Sequence, residues 1–89
     1  MTYQLAKTVL VTDTDYGAVL LDERRGRYFG LNTTGLFVLR ALLDGDADRA
    51  AERVAERFAV PEATARDDVD QLVGRLTERG LLVPVRGTK

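Results

Sequence analysis

The pattern of apolar and polar positions divides the chain into an extended first third and a helical remainder. Thr8-Val9-Leu10-Val11-Thr12 is β-branched and apolar. Asp13 to Gly17 reads as a turn, rich in Asp and closed by Gly, before a second apolar run, Ala18-Val19-Leu20-Leu21-Asp22. A charged connection ending in Gly26 leads to a third run, Arg27-Tyr28-Phe29-Gly30-Leu31. Three such runs joined by short turns predict an antiparallel meander. Side chains alternate across a strand, so Phe29 and Leu31 are expected to face the core, with Tyr28 and Gly30 on the outer face.

The period then changes from two to 3.6. Asn32-Thr33-Thr34 is a helix start, with Asn32 as the cap, because its short polar side chain can satisfy free backbone N–H groups. Leu36, Leu39 and Leu43 recur at helical spacing, and Asp44-Gly45 stops the helix. A second helix opens at Asp46 or Asp48 and carries Ala47, Ala50, Ala51, Val54, Ala55 and Phe58 on one face. Ala59-Val60-Pro61 breaks it, and Pro61 suits the first turn of a third helix. That helix runs to about Arg79, with Val69, Leu72, Val73 and Leu76 inward, and ends at Gly80. Leu81 to Val85 is an apolar extended tail expected to pack back on the core, and the last residues, 84–89, are expected to fray. The order β-β-β-α-α-α predicts one α+β domain over residues 1–89, of winged helix-turn-helix type.

Composition narrows the chemistry. The chain has 89 residues, no His and no Cys. That excludes imidazole general bases, thiol nucleophiles, disulfides and His or thiolate metal sites. The two Lys residues, Lys7 and Lys89, lie near the termini, and no phosphate-cradling Gly loop is present. The expectation is therefore a protein without catalysis, metal or cofactor. No apolar run approaches the roughly 20 residues that span a bilayer, and the N-terminus does not read as a signal peptide, so a cytoplasmic monomer with no membrane partner is expected.

The ordered set Val19-Leu20-Leu21-Asp22, Gly26 to Asn32, Thr34-Gly35 and Leu42-Leu43-Asp44-Gly45, followed by Asp68-Val69, Leu72-Val73, Leu76 and Gly80-Leu81-Leu82, resembles the PqqD-like family. It covers nearly the whole chain, from about Thr8 to Val83. The resemblance implies a recognition element for ribosomally made, modified peptides. The wording is most similar to the freestanding lasso-peptide type, which implies as partners a precursor leader peptide, a leader peptidase and an ATP-dependent cyclase. The alternative within the family is a peptide chaperone for a radical-SAM enzyme of the quinone cofactor pathway. The resemblance further implies a leader lying antiparallel beside the third strand and against the third helix, with apolar pockets for a Tyr-x-x-Pro pattern.

The residues are compatible with a peptide binder in their own right. A three-stranded meander has edges, and an edge strand can accept an extended peptide as a further strand. The expected site is Arg27, Tyr28, Phe29, Gly30 and Leu31 on the third strand, with Arg66, Asp67, Asp70, Val73 and Gly74 on one flank of the third helix. Gly74 costs about 1 kcal/mol against Ala inside a helix. It reads either as clearance for a peptide backbone or as a tolerated solvent position. Arg24, Arg25 and Arg27 read either as a basic contact for an acidic partner or as a charged hairpin loop. The rival function is winged-helix DNA binding. The third helix, however, carries five acids and three bases, a net charge of −2, which repels a phosphate backbone.

Overall fold

In a computed structural model, residues 2–85 are described. Five strands and three helices follow one another as β1 (Thr2–Leu5), β2 (Val9–Thr14), β3 (Gly17–Asp22), β4 (Arg27–Asn32), α1 (Thr33–Leu43), a 3₁₀ turn (Ala47–Arg49), α2 (Ala50–Phe58), α3 (Glu62–Glu78) and β5 (Leu82–Val85). The expected meander is present as an antiparallel sheet of order β2-β3-β4, and the expected third strand is β4. The fold is α+β, with the helices following the sheet.

The first hairpin is tighter than the expected five-residue turn. β2 continues to Thr14, which pairs with Gly17, leaving Asp15 and Tyr16 as the loop. Gly17 permits this. Its φ is 150°, and a Cβ added there would lie 2.0 Å from the Leu31 carbonyl oxygen and within 2.8 Å of the Asn32 backbone. Only a residue without a side chain lets β3 and β4 approach so closely at this end of the sheet.

The helix boundaries follow local chemistry. Asn32 caps α1 as expected, its Oδ1 accepting from the Gly35 N–H at 2.7 Å. Gly45 and Gly80 take positive φ beyond the ends of α1 and α3. The second helix begins later than either Asp expected to open it, because Ala47 to Arg49 form the 3₁₀ turn first. Ala59 ends α2 in the left-handed region, at φ 55°. Pro61 stands one residue before α3, and its carbonyl accepts from the Ala65 N–H at 3.0 Å.

One apolar cluster joins both layers. Leu20 and Leu31 from the sheet meet Val38, Leu39 and Leu42 of α1, Val54 of α2, and Ala65, Val69 and Leu76 of α3. Leu81 and Leu82 are buried in the same cluster, so the tail does pack back on the core. It does so as β5, paired antiparallel with β1, with Thr2 opposite Val85 and Leu5 opposite Leu82. The N-terminal segment was not expected to form a strand. Its polar–apolar alternation, with Tyr3 and Leu5 half-buried between exposed Thr2 and Gln4, is the signal for one. Pro84 and Val85 belong to β5, and the remainder of the segment expected to fray, residues 86–89, lies outside the described residues.

Candidate functional site

β4 is an edge strand. β3 pairs with one side of it from Arg27 to Asn32, and among the described residues no strand pairs with the other side. Alternate residues of an antiparallel strand direct their N–H and C=O groups to opposite neighbours, so β4 carries a row of outward-directed backbone groups. The expected parity holds. Leu31 is buried and Phe29 half-buried on the inner side, whereas Tyr28, 70% exposed, and Gly30 lie on the outer side.

Beside the open edge lies a groove of about 350 Å³, with β4 and the start of α1 on one wall and α3 on the other. β4 contributes Phe29, Gly30, Leu31 and Asn32, and α3 contributes Asp68, Gln71, Leu72 and Arg75. Phe29, Leu31, Val38 and Leu72 make its apolar surface, and the amide and charged groups rim it. A second recess, of about 150 Å³, continues along β4 toward its N-terminal end and is lined by Arg25, Arg27, Tyr28, Glu78, Arg79 and Leu81 among others. Phe29 borders both hollows, and the Arg79 guanidinium lies 5.1 Å from its ring centroid, a cation–π contact.

Of the residues expected from sequence, Phe29, Gly30 and Leu31 line the groove, and Arg27 and Tyr28 line the recess. The helical members are placed differently. Arg66, Asp67, Asp70, Val73 and Gly74 are not among the residues lining either hollow. Arg66 pairs with Glu62 at 3.1 Å, and Asp67 accepts from Gln71 at 3.2 Å along the helix surface. Val73 packs against the core cluster, and Asp70 is exposed. A Cβ built on Gly74 meets nothing within 4 Å. The groove instead takes the neighbouring flank, on which Asp68, Gln71, Leu72 and Arg75 recur at intervals of three and four. The inward stripe of α3 has two flanks, and the sequence carries no local mark of which one faces β4.

No metal-binding cluster of three or more acidic residues occurs among the described residues, and no described helix is long and apolar enough to cross a membrane.

Comparison with known proteins bears on this geometry. A structure described as lasso peptide synthetase B1 complexed with the leader peptide superposes with a TM-score of 0.86 at 35% sequence identity, covering 94% of this chain and 100% of that one. TbiB1 in complex with the TbiA(beta) leader peptide superposes with a TM-score of 0.81 at 23% identity, covering 98% of this chain and 100% of that one, and shares the fold. A sequence comparison with curated proteins found no match. Residues 17–82, from the β2–β3 hairpin to the start of β5, match the family of coenzyme PQQ synthesis protein D, and the chain belongs to this PqqD family.

Proposed function

We propose that this protein binds the leader segment of a ribosomally made precursor peptide of the lasso type, adding it as a strand to the open edge of β4. The observation that carries this reading is the edge strand bordering a groove in which Phe29 and Leu72 lie among polar side chains, an arrangement that β-strand addition uses. Backbone pairing supplies affinity independent of sequence. Pockets spaced along the groove select side chains, and the Phe29, Leu31, Val38 and Leu72 surface suits the Tyr and Pro of a Tyr-x-x-Pro leader. The 35%-identical relative, whose structure is described as a complex with the leader peptide, supports the same reading.

The peptide-contacting set is Phe29, Gly30 and Leu31 with Asp68, Gln71, Leu72 and Arg75, joined by Arg27 and Tyr28 where the strand begins. The protein performs no covalent step. It acts in the cytoplasm as a single recognition domain spanning residues 1–89, and holds the precursor for a leader peptidase and an ATP-dependent cyclase, raising their effective substrate concentration. Binding orders a flexible peptide, which offsets part of the gross interaction energy.

Fluorescence anisotropy with a labelled lasso leader tests this. Saturable binding is expected, weakened by Tyr→Ala and Pro→Ala replacements in the peptide and by Leu72→Ala in the protein. A leader that does not bind, or that binds equally well after those peptide replacements, refutes the proposal. A duplex DNA titration run alongside separates this function from winged-helix DNA binding, which would show steep salt dependence.

A further inference from the structure

We propose that the recess at the Arg27 end of β4 is a second subsite, which receives an acidic side chain of the bound peptide. This rests on the reading that a peptide pairs with β4, and it adds a requirement on that peptide's composition.

Of the ten described arginines, four are ion-paired and six, Arg24, Arg25, Arg27, Arg57, Arg75 and Arg79, are not; three of those six converge on the recess. Arg40, Arg49, Arg53 and Arg66 each pair with a carboxylate, of Asp13, Glu52, Asp46 and Glu62 respectively. Arg25, Arg27 and Arg79, which line the recess together, make no ion pair among the described residues. Two of the three are nevertheless held in place. Arg25 Nη1 donates to the Arg79 carbonyl at 2.9 Å, tying the β3–β4 turn to the end of α3, and the Arg79 guanidinium lies over Phe29. Guanidinium groups already ordered lose less freedom on meeting a carboxylate than free side chains would, and their planar fork matches its two oxygens.

Two carboxylates also line the recess. Asp22 is buried, and its Oδ1 is engaged internally, accepting from Thr8 Oγ1 and from the backbone N–H groups of Arg24 and Arg25. Glu78 is exposed on the last turn of α3 and pairs with none of the three arginines. With Arg24 and Glu23 on the adjoining turn balancing each other, the recess keeps a small positive excess. That suits a single carboxylate rather than a polyanion, and a hollow of about 150 Å³ has room for one side chain.

Geometry places the acid within the peptide. Every ladder among the described residues is antiparallel, and antiparallel pairing is slightly more favourable than parallel. A peptide pairing this way with β4 runs its C-terminal side past Arg27. Residues of one strand face rise about 7 Å per pair, and Phe29 borders both hollows. The acid therefore belongs two to four residues C-terminal to the side chain seated in the groove.

The test uses the full-length protein and a fluorescein-labelled Tyr-x-x-Pro leader in which every Asp and Glu is replaced by Gln. Two derivatives restore Glu, one within the four residues C-terminal to the groove-bound segment and one within the four N-terminal to it. At 50 mM NaCl the C-terminal Glu derivative is expected to bind about five-fold tighter than the all-Gln parent, with the gain closing at 0.5 M NaCl. Arg27→Gln is expected to bring the ratio of Glu-derivative to parent affinity, both measured on the same variant, close to one. Glu78→Gln is expected to enlarge it. Equal binding of the parent and the C-terminal Glu derivative overturns the subsite while leaving strand addition intact. So does a gain that appears with N-terminal Glu or survives Arg27→Gln. A 20-base-pair duplex that displaces the label more effectively than the Glu peptide assigns the recess to nucleic acid and overturns it as well. If the parent itself fails to bind, the strand-addition reading falls, and the subsite falls with it.

Discussion

Replacing Gly17 by Ala adds one methyl group where the sheet has no space for it. The new Cβ would lie 2.0 Å from the Leu31 carbonyl oxygen, 2.6 Å from the Asn32 carbonyl carbon and 2.8 Å from its oxygen. All three are backbone atoms, so no side-chain rotation relieves the overlap, and β3 must move away from β4. Gly17 also has a φ of 150°, a conformation that L-residues adopt at a cost of order 1–3 kcal/mol. Adding the disturbed pairing at this end of the ladder gives an expected loss of about 2–4 kcal/mol. A domain of this size has about 4–13 kcal/mol of stability in total, so the variant should melt roughly 10–25 °C below the parent. The assay is thermal and urea unfolding followed by circular dichroism, with two other glycines as controls for the same chemical change. Gly30→Ala meets nothing within 4 Å and should be neutral or slightly stabilising. Gly26→Ala has open space but a φ of 65° and should cost about 1 kcal/mol. A Gly17→Ala protein within 0.5 kcal/mol of the parent would refute the argument that this close approach is rigid. Because Gly17 opposes Asn32, which lines the groove, the same variant should also weaken leader binding at temperatures where it remains folded.

Other substitutions test other parts of the account. Ala59→Gly relieves the left-handed residue at the end of α2 and should raise stability by about 0.5–1 kcal/mol in urea unfolding. Asn32→Ala removes the α1 cap and should cost about 1 kcal/mol by the same measurement. Asp22→Ala leaves the Thr8 hydroxyl and two backbone N–H groups without their shared acceptor and should cost about 1–3 kcal/mol, with most of the loss recovered by Asp22→Asn. Leu72→Ala should weaken leader affinity about five- to thirty-fold, whereas Gly74→Ala, facing open space, should raise helix stability by up to about 1 kcal/mol and leave the titration unchanged.

The features legible in the sequence are those that neighbouring residues decide among themselves. The strands β2, β3 and β4, the Asn32 cap, the stops at Gly45 and Gly80, and the inward placement of Phe29 and Leu31 all follow from turn chemistry, caps and periodicity within a few residues. The edge at β4 was foreseeable too, because a short meander must leave its outer strands unpaired.

Long-range packing decided the remainder. The pairing of β1 with β5 joins the two ends of the chain, and nothing within Thr2 to Leu5 says that Leu82 lies opposite Leu5. The α3 flank facing β4 is a question of the same kind. Ala65, Val69 and Leu76 turn one stripe inward, but that stripe has a flank on either side, both mixed in polarity. Asp68, Gln71, Leu72 and Arg75 face the groove because the rest of the core fixes where α3 lies and how it is rotated about its axis. Periodicity determines that a helix has an inner face. Which neighbour each flank meets depends on how the other elements close around it.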